Sequence, residues 1–184
     1  MTATPIPTTA EGTFEAKGIS PGKYRLSVVA PGLRQNATAP GTGWMLKSIT
    51  LNGRDIADVP LEVKPGENVT GLVVTLTDRP TEISGTILDQ AGRATSTFPI
   101  VVFSTDRAYW GAGSRRVQQG RPSSDGKYLI AGLPAGEYYV CAVTDLEPMS
   151  LSDPDFLEQL IGGSFKITLG EAEKKTQDLK LAGG

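Results

Sequence analysis

The sequence predicts an all-β chain built from two sandwich-like units in series, the first truncated, with one short helix in the second. Three observations predict it. Gly12 and Gly126, Gly18 and Gly132, Gly22 and Gly136, and Tyr24 and Tyr138 are each 114 residues apart, so one β unit recurs. Short alternating or fully apolar runs follow one another, separated by turn residues, which is the pattern of many short strands. Glycine (22) and proline (13) are abundant over 184 residues, as tight turns require.

Residues 1–10 are Thr, Pro and Ala and read as a loosely held lead-in. Thr13–Lys17 and Lys23–Val29 read as strands around the Ser20-Pro-Gly22 turn. Ala30–Gly43 reads as a loop, Trp44–Leu51 as a strand closed by Asn52-Gly53, and Val59–Val63 as a short strand. Pro65-Gly66-Glu67 turns the chain into the alternating run Val69–Thr77. Asp78-Arg-Pro80 is a short hinge and sets the division: 1–79 is an incomplete unit, 80–184 a complete one.

The second unit opens with Glu82–Leu88 and the fully apolar Pro99–Ser104. Thr105–Pro122 reads as a long polar loop. Asp125 to Val140 is the organising hairpin, turning at Gly132-Leu-Pro-Ala-Gly136. Asp153 caps a helix through Ile161, with Pro154 in its first turn and Gly162 at its end. Phe165–Leu169 and Thr176–Leu181 are the last strands. Two strands precede the organising hairpin here; none precedes its counterpart at Glu11–Leu26, so the first unit begins in mid-domain.

Composition excludes several function classes. Net charge is −2, with no basic field for nucleic acid. There is no histidine, which removes the commonest general base and metal ligand, and one cysteine, Cys141, which allows no disulfide or thiolate cluster. No apolar run reaches bilayer length, so no direct membrane insertion is expected. No cofactor and no metal are expected.

Gly85 and Gly92, Asp125-Gly-Lys-Tyr128, Gly132-Leu-Pro-Ala-Gly136-Glu-Tyr-Tyr, Leu169-Gly-Glu171 and Lys174–Leu181 together resemble the carboxypeptidase regulatory-like domains, transthyretin-like (prealbumin-like) Greek-key sandwiches grouped with Cna B-type repeats. The resemblance covers 81–181 and part of 11–79. It implies tandem seven-stranded sandwiches of a larger exported bacterial protein, extracellular, periplasmic or at the cell surface. It implies a spacer, stalk or binding platform rather than a chemistry. Some Cna B-type repeats carry a Lys–Asn isopeptide bond. Here Glu82–Leu88 has no Lys and Thr176–Leu181 no Asn; Asn68 of the first unit has no opening strand to bring its Lys.

The candidate ligand or partner platform is the loop carrying Tyr109 and Trp110, with Arg107, Arg115 and Arg116 as donors. The competing reading folds Trp110 back over its own sandwich beneath arginine stems. Cys141 shares a face with Tyr139 and Val143, a patch to be covered by the helix or by the first unit. Asp153, Asp155 and Glu158 fit a capped helix better than a cation site. Asp125 and Glu11 occupy matching turns. The function expected is a non-catalytic structural or interaction module, whose partners are other domains of a parent chain. Alternatives are a carbohydrate-binding module using the aromatic–arginine loop, and an accessory domain of a peptidase or outer-membrane transporter. The open core of the first unit is expected to be closed by packing against the second unit, with edge-to-edge dimerisation as the other route.

Overall fold

A computed structural model describes residues 5–29, 32–33, 43–144, 146–147 and 149–180. The start of the lead-in, nearly all of the 30–43 loop and Leu181 lie outside the described residues.

Among the described residues, the strands before the hinge pair only among themselves. β1 (Gly22–Tyr24) runs antiparallel to β4 (Leu61–Val63). β2 (Met45–Leu51) pairs with β3 (Arg54–Asp55) across the Asn52-Gly53 turn, and with β5 (Leu72–Thr77). Their core gathers Ile49, Ile56 and Ala57 with Leu26, Leu51, Leu61, Leu72 and Val74.

After the hinge come β6 (Glu82–Leu88), β7 (Ile100–Ser104), β8 (Val117–Gly120), β9 (Lys127–Ala131) and β10 (Gly136–Ala142). They are followed by α1 (Pro154–Leu160), β11 (Phe165–Leu169), β12 (Lys174–Thr176) and β13 (Leu179–Lys180). One sheet is antiparallel in the order β11-β10-β7-β8. In the other, β6 pairs antiparallel with β9 and parallel with β12 and β13. The result is mostly β with one short helix, an all-β sandwich.

Period-two alternation sends Ile83 and Ile87, Tyr128 and Ile130, Ile100 and Val102, and Tyr138 and Val140 into one shared core. Each of the fully buried aliphatic side chains contributes about 1.5–3 kcal/mol. β7 is buried at all five positions because its other face is covered too. There Val101, Phe103, Trp110, Cys141, Val143 and Leu157 form a second cluster beneath α1. The Tyr139–Cys141–Val143 patch is therefore covered by the unit's own helix and Trp110, not by the first unit.

The two halves of the 114-residue repeat share local geometry. Gly18 and Gly132 both take left-handed φ, +69° and +77°, a conformation that favours glycine at the turn. The Tyr24 hydroxyl donates to the Ser20 carbonyl at 2.5 Å, and the Tyr138 hydroxyl to the Pro134 carbonyl at 2.6 Å. Each hydroxyl thus reaches back four residues across equivalent turns.

Several elements differ from expectation. Thr13–Lys17 is not a strand: only the Thr8–Phe14 bridge forms, and Phe14 alone is half-buried. Its counterpart, Lys127–Ala131, is held by β6, and no described strand lies beside 13–17. Of Lys23–Val29 only Lys23 and Tyr24 join a ladder, together with Gly22, although alternate residues stay half-buried to Val28. The counterpart of β7, which flanks β10, is likewise missing among the described residues. Val59–Val63 and Val69–Thr77 shorten to β4 and β5. The Thr105–Pro122 segment holds β8 and a 3-10 turn, Arg107–Tyr109. The last strand is split at Gln177-Asp178, where the Asp178 carboxylate accepts the Thr86 N–H at 2.8 Å.

Candidate functional site

The loop singled out by its aromatics and arginines leaves β7 and is shaped by local hydrogen bonds. Ser104 Oγ accepts the Asp106 N–H at 3.1 Å, and Asp106 caps the 3-10 turn by accepting from Ala108 N–H at 2.9 Å. A second turn closes with Ser114 N–H donating to the Gly111 carbonyl, and buried Ser114 Oγ accepts from Arg116 N–H. These turns send Trp110 to one side of the loop and Arg115 and Arg116 to the other.

Trp110 goes inward. It is 1% exposed, its Nε1–H donates to the Ser104 carbonyl at 2.7 Å, and its ring meets Phe103 edge-on at 5.6 Å. The Arg107 guanidinium lies over that ring at 5.2 Å and pairs with Glu158 of α1 at 3.0 Å. Trp110 therefore has no face to offer a sugar or a partner. The expected platform is replaced by a lid on the unit's own core, because the indole buries more apolar surface there and satisfies its one donor.

Arg115 goes outward, to the first unit, and Arg116 lies beside it, its Nε 3.4 Å from Asp58. Asp58 is 3% exposed. It accepts from the Arg115 main-chain N–H at 2.8 Å, from Nε at 3.1 Å and from Nη2 at 2.9 Å. Arg115 Nη1 donates to the Leu46 and Lys47 carbonyls at 2.9 and 3.0 Å, and Nη2 reaches Asp55 Oδ2 at 3.5 Å. A guanidinium has five N–H donors, and each finds an acceptor on the first unit. Asp55 is itself fixed, its Oδ1 accepting from Ile49 and Ala57 N–H.

Arg116 stacks on Tyr109 at 4.6 Å and donates to the Ala135 carbonyl and the Tyr138 hydroxyl, both at 3.2 Å. Burial pushes the Tyr138 phenol up to about 12, against the downward pull of Arg116. Two further contacts join the units: Met45 packs on Ala131, and Lys47 pairs with Glu171 at 2.8 Å.

The structure thus brings Arg115 and Arg116 together, ties Tyr109 to Arg116, and sends Trp110 and Arg107 to the α1 side. Asp55 and Asp58 are the members that sequence reading missed. The one local hint was two acids flanking an apolar pair, Ile56-Ala57, between the Asn52-Gly53 turn and the Val59–Val63 run.

The remaining candidates are structural in position. Asp153 caps α1 by accepting from Asp155 N–H at 3.0 Å, while Glu158 is engaged by Arg107. Among the described residues no three His, Cys, Asp or Glu side chains converge. Asp125 accepts from the Ser123 hydroxyl at 2.6 Å, and this bond, with those to Lys127, lowers its carboxyl to about 2. Burial pushes the Cys141 thiol up, which disfavours the reactive thiolate. What the arrangement does chemically is hold two bodies together by a nearly water-excluded, charge-assisted fork.

No family model matches the chain, and no curated protein does. Solved structures with some likeness include the major pilin subunit BcpA of Bacillus cereus, with TM-score 0.40 and 15% identity, over 68% of this chain and 35% of that one. A DUF3823 family protein from Bacteroides ovatus has TM-score 0.34 and 17% identity, over 54% and 42%. The dioxygenase domain of a dioxygenase–carbohydrate-binding fusion protein from the cellulolytic bacterium Streptomyces sp. SirexAA-E has TM-score 0.33 and 16% identity, over 55% and 79%. Likeness of this grade assigns this chain no family and no activity.

Proposed function

We propose that this chain is a non-catalytic structural and interaction module: two tandem transthyretin-like Greek-key sandwiches of the carboxypeptidase regulatory-like or Cna B type, the first truncated, docked as one stiff body. Its partners are then the other domains of a larger exported bacterial protein, which it spaces and orients outside the cytoplasm. One observation carries the reading. The loop best equipped for recognition spends all five Arg115 side-chain donors on Asp58, Asp55 and two carbonyls of the first unit, and its tryptophan on its own core. A loop used this way sets the angle between units. The short Asp78-Arg-Pro80 hinge favours the same stiffness.

Small-angle scattering of the intact chain across a salt series tests it. A docked pair keeps one radius of gyration, because partly buried ion pairs are weakly screened. A radius that grows with salt contradicts the reading. A glycan array on the wild type and on Tyr109→Ala is the companion test. Sugar binding that disappears with Tyr109 would favour the carbohydrate-binding alternative instead.

A further inference from the structure

Beside the clamp lies an open groove of about 280 Å³ with walls from both units, among them Lys47, Arg79, Arg116 and Glu171. Arg116 brings unused hydrogen-bonding capacity to it. Its side chain is only 12% exposed. Nη1 is engaged by the Ala135 carbonyl and the Tyr138 hydroxyl. Nε is buried with no hydrogen-bond partner; Asp58 Oδ2, 3.4 Å away, supplies charge attraction without the alignment of a bond. Nη2 has no hydrogen-bond partner among the described residues.

Nε is enclosed and faces Asp58, so Nη2 is the donor of this guanidinium left for an acceptor in the groove, where a carboxylate supplies both charge and hydrogen bond. Arg79 adds a second guanidinium that makes no side-chain bond with the described residues. Lys47 stands at the rim, held by Glu171 at 2.8 Å. The other carboxylate in the lining, Asp55, faces the fold: it accepts from Ile49 and Ala57 N–H and meets Arg115.

We propose that this groove binds the carboxylate of a small polar ligand, gripped by Arg116 and Arg79, with Lys47 leaving Glu171 to join them. The proposal rests on the docking of the two units, since neither alone supplies both walls.

The test is an NMR titration of the intact chain with sodium D-glucuronate, L-glutamate, glucose and inorganic phosphate. Saturable movement of the Arg79, Thr81, Ala135 and Glu171 amides is expected with one or both carboxylates, the sugar acid against the amino acid identifying the body it rides on. Glucose should move none. Arg79→Gln should weaken binding roughly tenfold, the worth of one charge-assisted hydrogen bond, with an unchanged melting curve. Glu171→Gln should tighten it by freeing Lys47. No saturable response to either carboxylate, an equal response to glucose, a preference for phosphate, or wild-type binding by Arg79→Gln each overturns the proposal. Docked units that bind nothing overturn this proposal alone, whereas units found undocked by scattering overturn the reading beneath it.

Discussion

Replacing Arg115 by alanine removes five side-chain bonds to the first unit and leaves Asp58 behind with its side chain 2% exposed. Breaking a buried ion pair from one side costs about 3–5 kcal/mol, chiefly through the charge left unpaired. Two features keep the cost at the lower end. The Arg115 main-chain N–H still donates to Asp58, and Arg116 Nε stays 3.4 Å away. The expected loss is therefore about 3 kcal/mol. Asp58→Ala alone leaves Arg115 under-satisfied and also destabilises. The double variant strands neither charge, so it should lose about 2 kcal/mol less than the two single losses added together. Urea unfolding of the four proteins measures this cycle. The loss should fall on the first unit, whose core around Ile49 and Ile56 is the smaller, so a separate early transition is expected in Arg115→Ala. A coupling below ~0.5 kcal/mol would refute the clamp, since independent sites add to within that margin.

Three further outcomes follow from the same geometry. Trp110→Ala should cost about 3–5 kcal/mol by emptying a fully buried site, read as a lowered melting temperature; a loss below ~1 kcal/mol would show that the indole is not a lid. Cys141, buried and with its thiol pushed up, should resist a thiol reagent at pH 8 in the native protein and react fully in denaturant; rapid native labelling would contradict its packing. Tyr138 has a folded pKa raised to about 12, above the ordinary phenol value near ~10. Its contribution is complete below pH ~10 and is lost as pH rises through about 12, so phenolate absorbance from Tyr138 at pH 11 should appear only with unfolding.

The second unit was legible because its signals are local. Alternation pairs Tyr128 with Ile130 and Tyr138 with Val140 on shared faces, which turn out to face the core, and Asp153-Pro154 marks the helix start. β8 escaped notice because Val117-Gln-Gln-Gly120 has almost no apolar pattern; it is an edge strand specified by β7. Thr13–Lys17 failed in the opposite sense: it carries a strand-like pattern but has no ladder beside it among the described residues. Strand propensity expresses the fit to neighbours more than a backbone preference. The clamp was least legible. Asp58 and Arg115 are 57 residues apart, and nothing in either segment announces the other. Reading Tyr109, Trp110 and three arginines as a surface site assumed that polar and aromatic groups in a loop face solvent. The alternative, that the tryptophan covers its own sheet, describes where Trp110 lies.

Docking of the two units as one body is the claim on which the rest depends. Electron-spin distance measurement tests it most directly, with labels at Lys64→Cys in the first unit and Arg121→Cys in the second and buried Cys141 left in place. A single narrow distance distribution, unchanged by salt and broadened by Asp58→Asn, is the predicted result. A broad distribution in the otherwise native chain would contradict it.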